Sequence, residues 1–91
     1  MYVITFHHLH SRSKSAMMLE WGNTMDLTGL IIMGKPGYVI FKGEKADILL
    51  ARIKSFHWLH YKILNNDIVN KKYEFNKFIK IDSTPKDLFT T

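Results

Sequence analysis

The sequence predicts an α+β domain, a four-stranded antiparallel sheet with two helices on one face, from three observations. The first is a Pro-Gly turn set inside Met33-Gly34-Lys35-Pro36-Gly37-Tyr38-Val39-Ile40-Phe41-Lys42-Gly43, with β-branched and aromatic residues on both sides. The second is a pair of segments with apolar residues at helical spacing, one before this turn and one after it. The third is the resulting order: strand, helix, strand, strand, helix, strand. Right-handed crossovers in that order place both helices on one face of the sheet and leave the other face free.

Each element has a local reason. Residues 2–9 mix Val3, Ile4 and Phe6 with Thr5 and histidines and read as a strand. The serines of Ser11-Arg12-Ser13-Lys14-Ser15 break it and offer N-caps, and Met17/Met18, Trp21 and Met25 then recur at helical spacing, so residues 13–24 are expected to be helical. Pro36 pre-sets its backbone and Gly37 tolerates a positive φ, so strands 27–33 and 38–42 form a hairpin. After Gly43-Glu44, Ala46, Leu49, Leu50 and Ile53 follow the i, i+3, i+4, i+7 pattern of a second helix. Residues 58–64 alternate, with Leu59, Tyr61 and Ile63 on one side and His60, Lys62 and Leu64 on the other, as a fourth strand does. The core is thus expected over residues 1–64, with 65–91 as a C-terminal extension. Thr84 and Pro85 resemble an N-cap and first helical residue there. Tyr73, Phe75, Phe78 and Ile79 are too apolar for a free tail, so the extension is expected to pack on the sheet or to pair at its edge.

With 91 residues the chain fits one domain, and 46% hydrophobic residues suit a globular one. It has no cysteine, which excludes disulfides and thiolate metal sites and fits an intracellular protein, nuclear or cytoplasmic. No apolar run approaches the length of a membrane span. The net charge of +5 favours phosphate-rich or otherwise acidic partners. It is evenly spread, with six basic and four acidic residues up to Arg52 and seven and four from Lys54 onward, so neither half is a basic arm.

The candidate sites follow from chemistry. On an RNA-binding reading, Tyr38 and with it His7, His60 or Tyr2 would stack bases, while Lys35, Lys42 and Lys62 would meet phosphates. Residues 37–41 match the end of the RNA-recognition-motif strand signature, with Tyr38 at the stacking position; the beginning of that signature is missing. The bland alternative makes Tyr2 and Tyr38 packing aromatics and the lysines a solvated surface. Arg12 and Lys14 precede or open a helix whose free N–H groups suit a phosphate, against the alternative of plain serine capping. If the first and fourth strands run antiparallel, His8 and His10 approach His57 and His60, and imidazole clusters bind zinc, copper or nickel; no carboxylate or thiolate joins them at a recognisable spacing, so no metal is assigned. No cofactor is implied. The chain has no Gly-x-Ser-x-Gly elbow, Walker loop or paired acids in an obvious cleft, so no enzyme is expected.

One group of motifs resembles a known family. His7-His8-Leu9-His10-Ser11 with Lys14, Leu19-Glu20-Trp21, Leu27-Thr28-Gly29, Gly34-Lys35-Pro36-Gly37 with Gly43, and Arg52-Ile53 leading to Trp58 together resemble the C-terminal domain family shared by RWD domain-containing protein two and the spliceosomal pre-mRNA-processing factor Prp-three. The RWD branch is the closer, and the resemblance covers about residues 6–64. It implies a ferredoxin-like fold and, from the splicing-factor branch, RNA binding within a small nuclear ribonucleoprotein. The RWD branch brings no settled activity. On this resemblance the lack of a preceding RWD domain leads to the expectation of a fragment or a minimal relative, and the tail after Asn65 departs from the family. Two readings are therefore carried forward: a non-catalytic RNA-binding module using the open sheet face, and a protein-interaction domain docking a partner on residues 73–81 or on the exposed strand face.

Overall fold

The computed structural model describes residues 1–56 and 60–90. In chain order the elements are β1 (Tyr2–Phe6), α1 (Arg12–Thr24), β2 (Thr28–Ile32), β3 (Gly37–Lys42), α2 (Ala46–Lys54), β4 (Tyr61–Leu64), a 3-10 turn at Asn66–Ile68, and β5 (Phe78–Ile81). The expected fourth strand is present as Tyr61–Leu64. His57, Trp58 and Leu59 lie outside the described residues.

The sheet order is β4-β1-β3-β2-β5. The first four strands pair antiparallel, as the element order predicts. β5 adds a fifth strand parallel to β2, with Gly29 opposite Phe78 and Ile32 opposite Ile81, so the sheet is five-stranded and mixed rather than four-stranded and antiparallel. The reason is the apolar stretch of the extension. Phe78 is buried among the helix-side core residues, and the strand that carries it satisfies the open edge of β2.

Both helices cover one face. In α1, Ser15, Met18 and Gly22 form the buried stripe, and in α2 Ala46, Leu49 and Ile53 do so. They pack on Ile4 and Phe6 of β1 and Val39 and Phe41 of β3. Asp47 in the first turn of α2 and Arg52 and Lys54 in its last complement the helix dipole. Trp21 stacks on Phe56 with ring centroids 5.5 Å apart, and the Arg52 guanidinium lies 5.3 Å from the Trp21 ring, so the two helices are clasped at that point.

The second face is not free. Val3, Leu30, Ile32 and Ile40 are the alternate residues of the three central strands, and the extension lies over them through Val69, Phe75 and Leu88. The segments around Val69 and Phe89 pair antiparallel, with the Asn70 N–H donating to the Leu88 carbonyl at 2.7 Å and the Thr90 N–H to the Ile68 carbonyl at 2.8 Å. Layers therefore run helices, sheet, C-terminal strap. An exposed aliphatic face of this kind would be unstable in water, and the strap removes it. Thr84 and Pro85 open a turn rather than a helix: the Leu88 N–H donates to the Pro85 carbonyl at 3.2 Å and the chain continues extended.

The hairpin also differs in detail. Gly34 takes the positive φ, at +136°, and the Lys35–Pro36 peptide is cis. Gly37 belongs to β3. Its lack of a side chain leaves room for Leu9, whose Cβ is 2.2 Å from where a Gly37 Cβ would stand.

Candidate nucleic-acid interface

One end of the sheet gathers three segments. β1 ends at Phe6, and the His7 N–H donates to the His60 carbonyl at 3.1 Å, which carries the β1–β4 ladder one step further. Leu9 then forms an antiparallel bridge with Gly34, its N–H on the Gly34 carbonyl at 2.9 Å and its carbonyl accepting the Gly34 N–H at 3.0 Å. Leu9 is fully buried, so the alternate residues His8 and His10 are held outward.

The rings that result are close together. His7 and His8 meet edge to face at 4.5 Å between centroids, His8 and His10 are 5.8 Å apart, and His7 and His60 are 6.0 Å apart. All four residues are exposed, as is Lys35 in the adjoining hairpin. Crowding by neighbouring atoms, followed by the positive charge of His7, Lys35, His10 and His60, lowers the His8 pKa from its ordinary 6.5. None of these groups is a carboxylate. The stretches that meet here, residues 1–19, 27–43 and 48–66, contain no Asp or Glu at all. Asp82, after β5, is the acidic residue that follows a strand at the same end, beyond β2, and it is not among the groups acting on His8.

The lowered His8 pKa has a sign that can be checked. Between the lowered value and 6.5 the folded chain holds fewer protons at His8 than the unfolded chain does, so stability is full above pH 6.5 and declines as the pH falls through that window. Thermal unfolding followed by circular dichroism is expected to show a lower midpoint below pH 6.5, and His8→Gln is expected to reduce the slope. An unchanged slope in that variant would remove His8 from the account.

The predicted site residues divide into two groups. His7, His60 and Lys35 come together at this end, and Lys62 is exposed on β4 opposite Thr5. Arg12 is exposed in the first turn of α1, where Lys14 also lies; the Ser11 Oγ accepts the Lys14 N–H at 3.2 Å, so serine capping is what the helix start uses. Tyr38 and Lys42 stand apart from the cluster. Tyr38 is half-buried on the strap side with its ring 4.9 Å from that of Phe89, and the Lys42 Nζ lies 5.8 Å from the Phe75 ring, near the other end of β3. The expectation of an open stacking face around Tyr38 is overturned, because the strap occupies it. Tyr2 faces the helices instead, packed 5.6 Å from Phe41 with its hydroxyl donating to the Asp47 carboxylate, a contact that raises the Tyr2 pKa.

His8 and His10, which the sequence offers as candidate metal ligands, lie instead in the chain of rings with His7 and His60. Among the described residues no group of three or more His, Asp or Glu side chains is arranged to hold a metal ion. The signal in the sequence that marks this cluster is the lack of any acidic residue across all three converging stretches. No helix among the described residues is long and apolar enough to cross a membrane. No family model and no solved structure matches the chain.

Proposed function

We propose that the protein is a non-catalytic module that binds single-stranded RNA with the end of its sheet rather than with its face. The observation that carries this reading is the convergence of His7, His8, His10, His60 and Lys35 on one end of the sheet, from three stretches that contain no acidic residue. Such a surface suits a phosphate backbone: Lys35 supplies a permanent charge, the imidazoles supply N–H donors, and their ring faces can stack on unpaired bases. The strand order β4-β1-β3-β2 supports a ferredoxin-like arrangement extended by β5, and the histidine and Gly34-Lys35-Pro36-Gly37 motifs support kinship with the family named above.

The test is titration of a fluorescent oligouridylate at low and physiological salt. Saturable binding is expected, weakening with salt by a slope of roughly 0.7 per phosphate neutralised. Lys35→Ala is expected to weaken binding and to flatten the slope by about one such unit. Lys71→Ala is the control. Lys71 lines a cleft with Met1 and Asn66, by the start of β1 and therefore at the opposite end of the sheet. Equal losses in the two variants would mean diffuse attraction to a basic protein and would defeat the reading.

A second reading has its own observation. β4 is an edge strand, and Tyr61 and Ile63, opposite Phe6 and Ile4, are 36% and 43% exposed. An extended segment of a partner protein adding to that edge would cover both side chains and satisfy the strand's outer backbone groups. Such an interface would respond little to salt, so the same titration separates the two readings.

A further inference from the structure

We propose that His7, His8, His10 and His60 act as a proton-gated phosphate clamp, binding the RNA backbone tightly only when two or more of the imidazoles are protonated. This rests on the RNA reading above and adds its regulation.

The geometry makes the gate. Four imidazoles from the β1–α1 connection and the start of β4 lie in a chain with successive ring centroids 4.5–6.0 Å apart, beside the Lys35 ammonium of the hairpin. Imidazole is the side chain whose charge can change near physiological pH, whereas lysine stays charged there, so a proton-dependent charge on this end has to come from the histidines. Charging one ring disfavours charging its neighbours at these separations. A phosphodiester placed among them removes that repulsion, since its oxygens accept from two imidazolium N–H groups at once. Linkage then requires that RNA raise the proton affinity of the cluster by the same factor by which protons raise the affinity for RNA. The backbone positions the donors before any ligand arrives: the His7–His60 hydrogen bond and the paired Leu9–Gly34 hydrogen bonds fix all three segments. The groups acting on His8 come from each of them, namely His7 and His10 on its own segment, Lys35 from the hairpin and His60 just before β4, and none of these is a carboxylate; Asp82, after β5 at the same end of the sheet, is not among them.

Fluorescence anisotropy of the oligouridylate at pH 5.5 and 7.5 and constant ionic strength tests this on the full chain. The wild type is expected to bind on the order of tenfold or more tightly at pH 5.5, with a salt slope steeper by roughly 0.7 for each added phosphate contact. The variant His7→Gln, His8→Gln, His10→Gln, His60→Gln keeps His57 and every lysine and is expected to lose that response. All four side chains are exposed, and circular dichroism at both pH values checks its fold. Imidazole NMR titration of the wild type gives an independent readout, in which RNA is expected to move the cluster's midpoints upward. Equal wild-type affinity at both pH values overturns the gate and leaves the RNA reading standing. A variant with the full pH response also overturns the gate, by moving it elsewhere. Absence of binding at either pH overturns both.

Discussion

Gly29→Ala is expected to cost upward of about 4 kcal/mol and to leave little folded protein at 37 °C. Gly29 sits in β2 with φ +152°, opposite Phe41, and its N–H donates to the Lys77 carbonyl at 2.9 Å, which ties the start of β5 to the sheet. A Cβ there would stand 1.8 Å from the Ile40 carbonyl oxygen and 2.7 Å from its carbon. Both are backbone atoms of a central strand, so no rotamer change relieves the overlap; β2 and β3 must separate. Gly34→Ala isolates the other contribution. Gly34 has φ +136° but the nearest atom to its Cβ would be 3.5 Å away, so only backbone strain of about 1–3 kcal/mol applies. Urea unfolding of the two variants measures the difference. A loss in Gly29→Ala no larger than in Gly34→Ala would mean that the sheet yields easily at this point.

Leu88→Ala is expected to destabilise the domain by roughly 2–5 kcal/mol, lowering the thermal midpoint by about 10–30 °C. Leu88 is 0% exposed and belongs to the same apolar layer as Val3, Leu30, Ile32 and Ile40. Removing its side chain leaves a void beneath a strap held by only a short antiparallel bridge, and that layer begins to meet water. The measurement also decides what kind of element the strap is. If it belongs to the core, amides across β1 and β3 lose hydrogen-exchange protection together with residues 85–90. If the midpoint moves by only a degree or two and protection falls in the strap alone, residues 85–90 form a displaceable cover, and Tyr38 regains standing as a stacking residue.

The covered face explains why the open stacking surface expected around Tyr38 is absent among the described residues. In β3, Tyr38 and Ile40 face the strap while Val39 and Phe41 face the helices, so neither side of the strand resembles a wet platform. Val3 and Ile4 show the same doubling in β1. A strand apolar on both faces belongs to the middle of three layers. The stretch Tyr2-Val3-Ile4-Thr5-Phe6 already contained that information; what it did not contain was the identity of the third layer.

Much of the rest was readable residue by residue. The spacing of Ala46, Leu49 and Ile53 specified α2 because a 3.6-residue repeat can bury its apolar stripe in only one way. Ser11 was among the caps offered for α1 and is the one used. The pairing of the first and last core strands, expected to bring His8 and His10 towards His57 and His60, is present, and among the described residues it sets His7 against His60 with His8 and His10 next in the chain of rings. The turn glycine lies three positions before the expected one: both Gly34 and Gly37 suit a reversal locally, but the positive φ falls at Gly34, and Gly37 leaves space for Leu9.

By itself, then, the amino-acid order determined the elements, their periodicity and the antiparallel core, because these depend on interactions between residues near one another in the chain. The tertiary structure alone decided that residues 78–81 complete the sheet, that residues 85–90 close its second face, and that Lys35 of the hairpin stands beside the histidines. Those outcomes depend on contacts between segments up to some eighty residues apart, such as Val3 with Leu88, where the gain is the removal of a shared apolar surface from water and no local pattern names the partner.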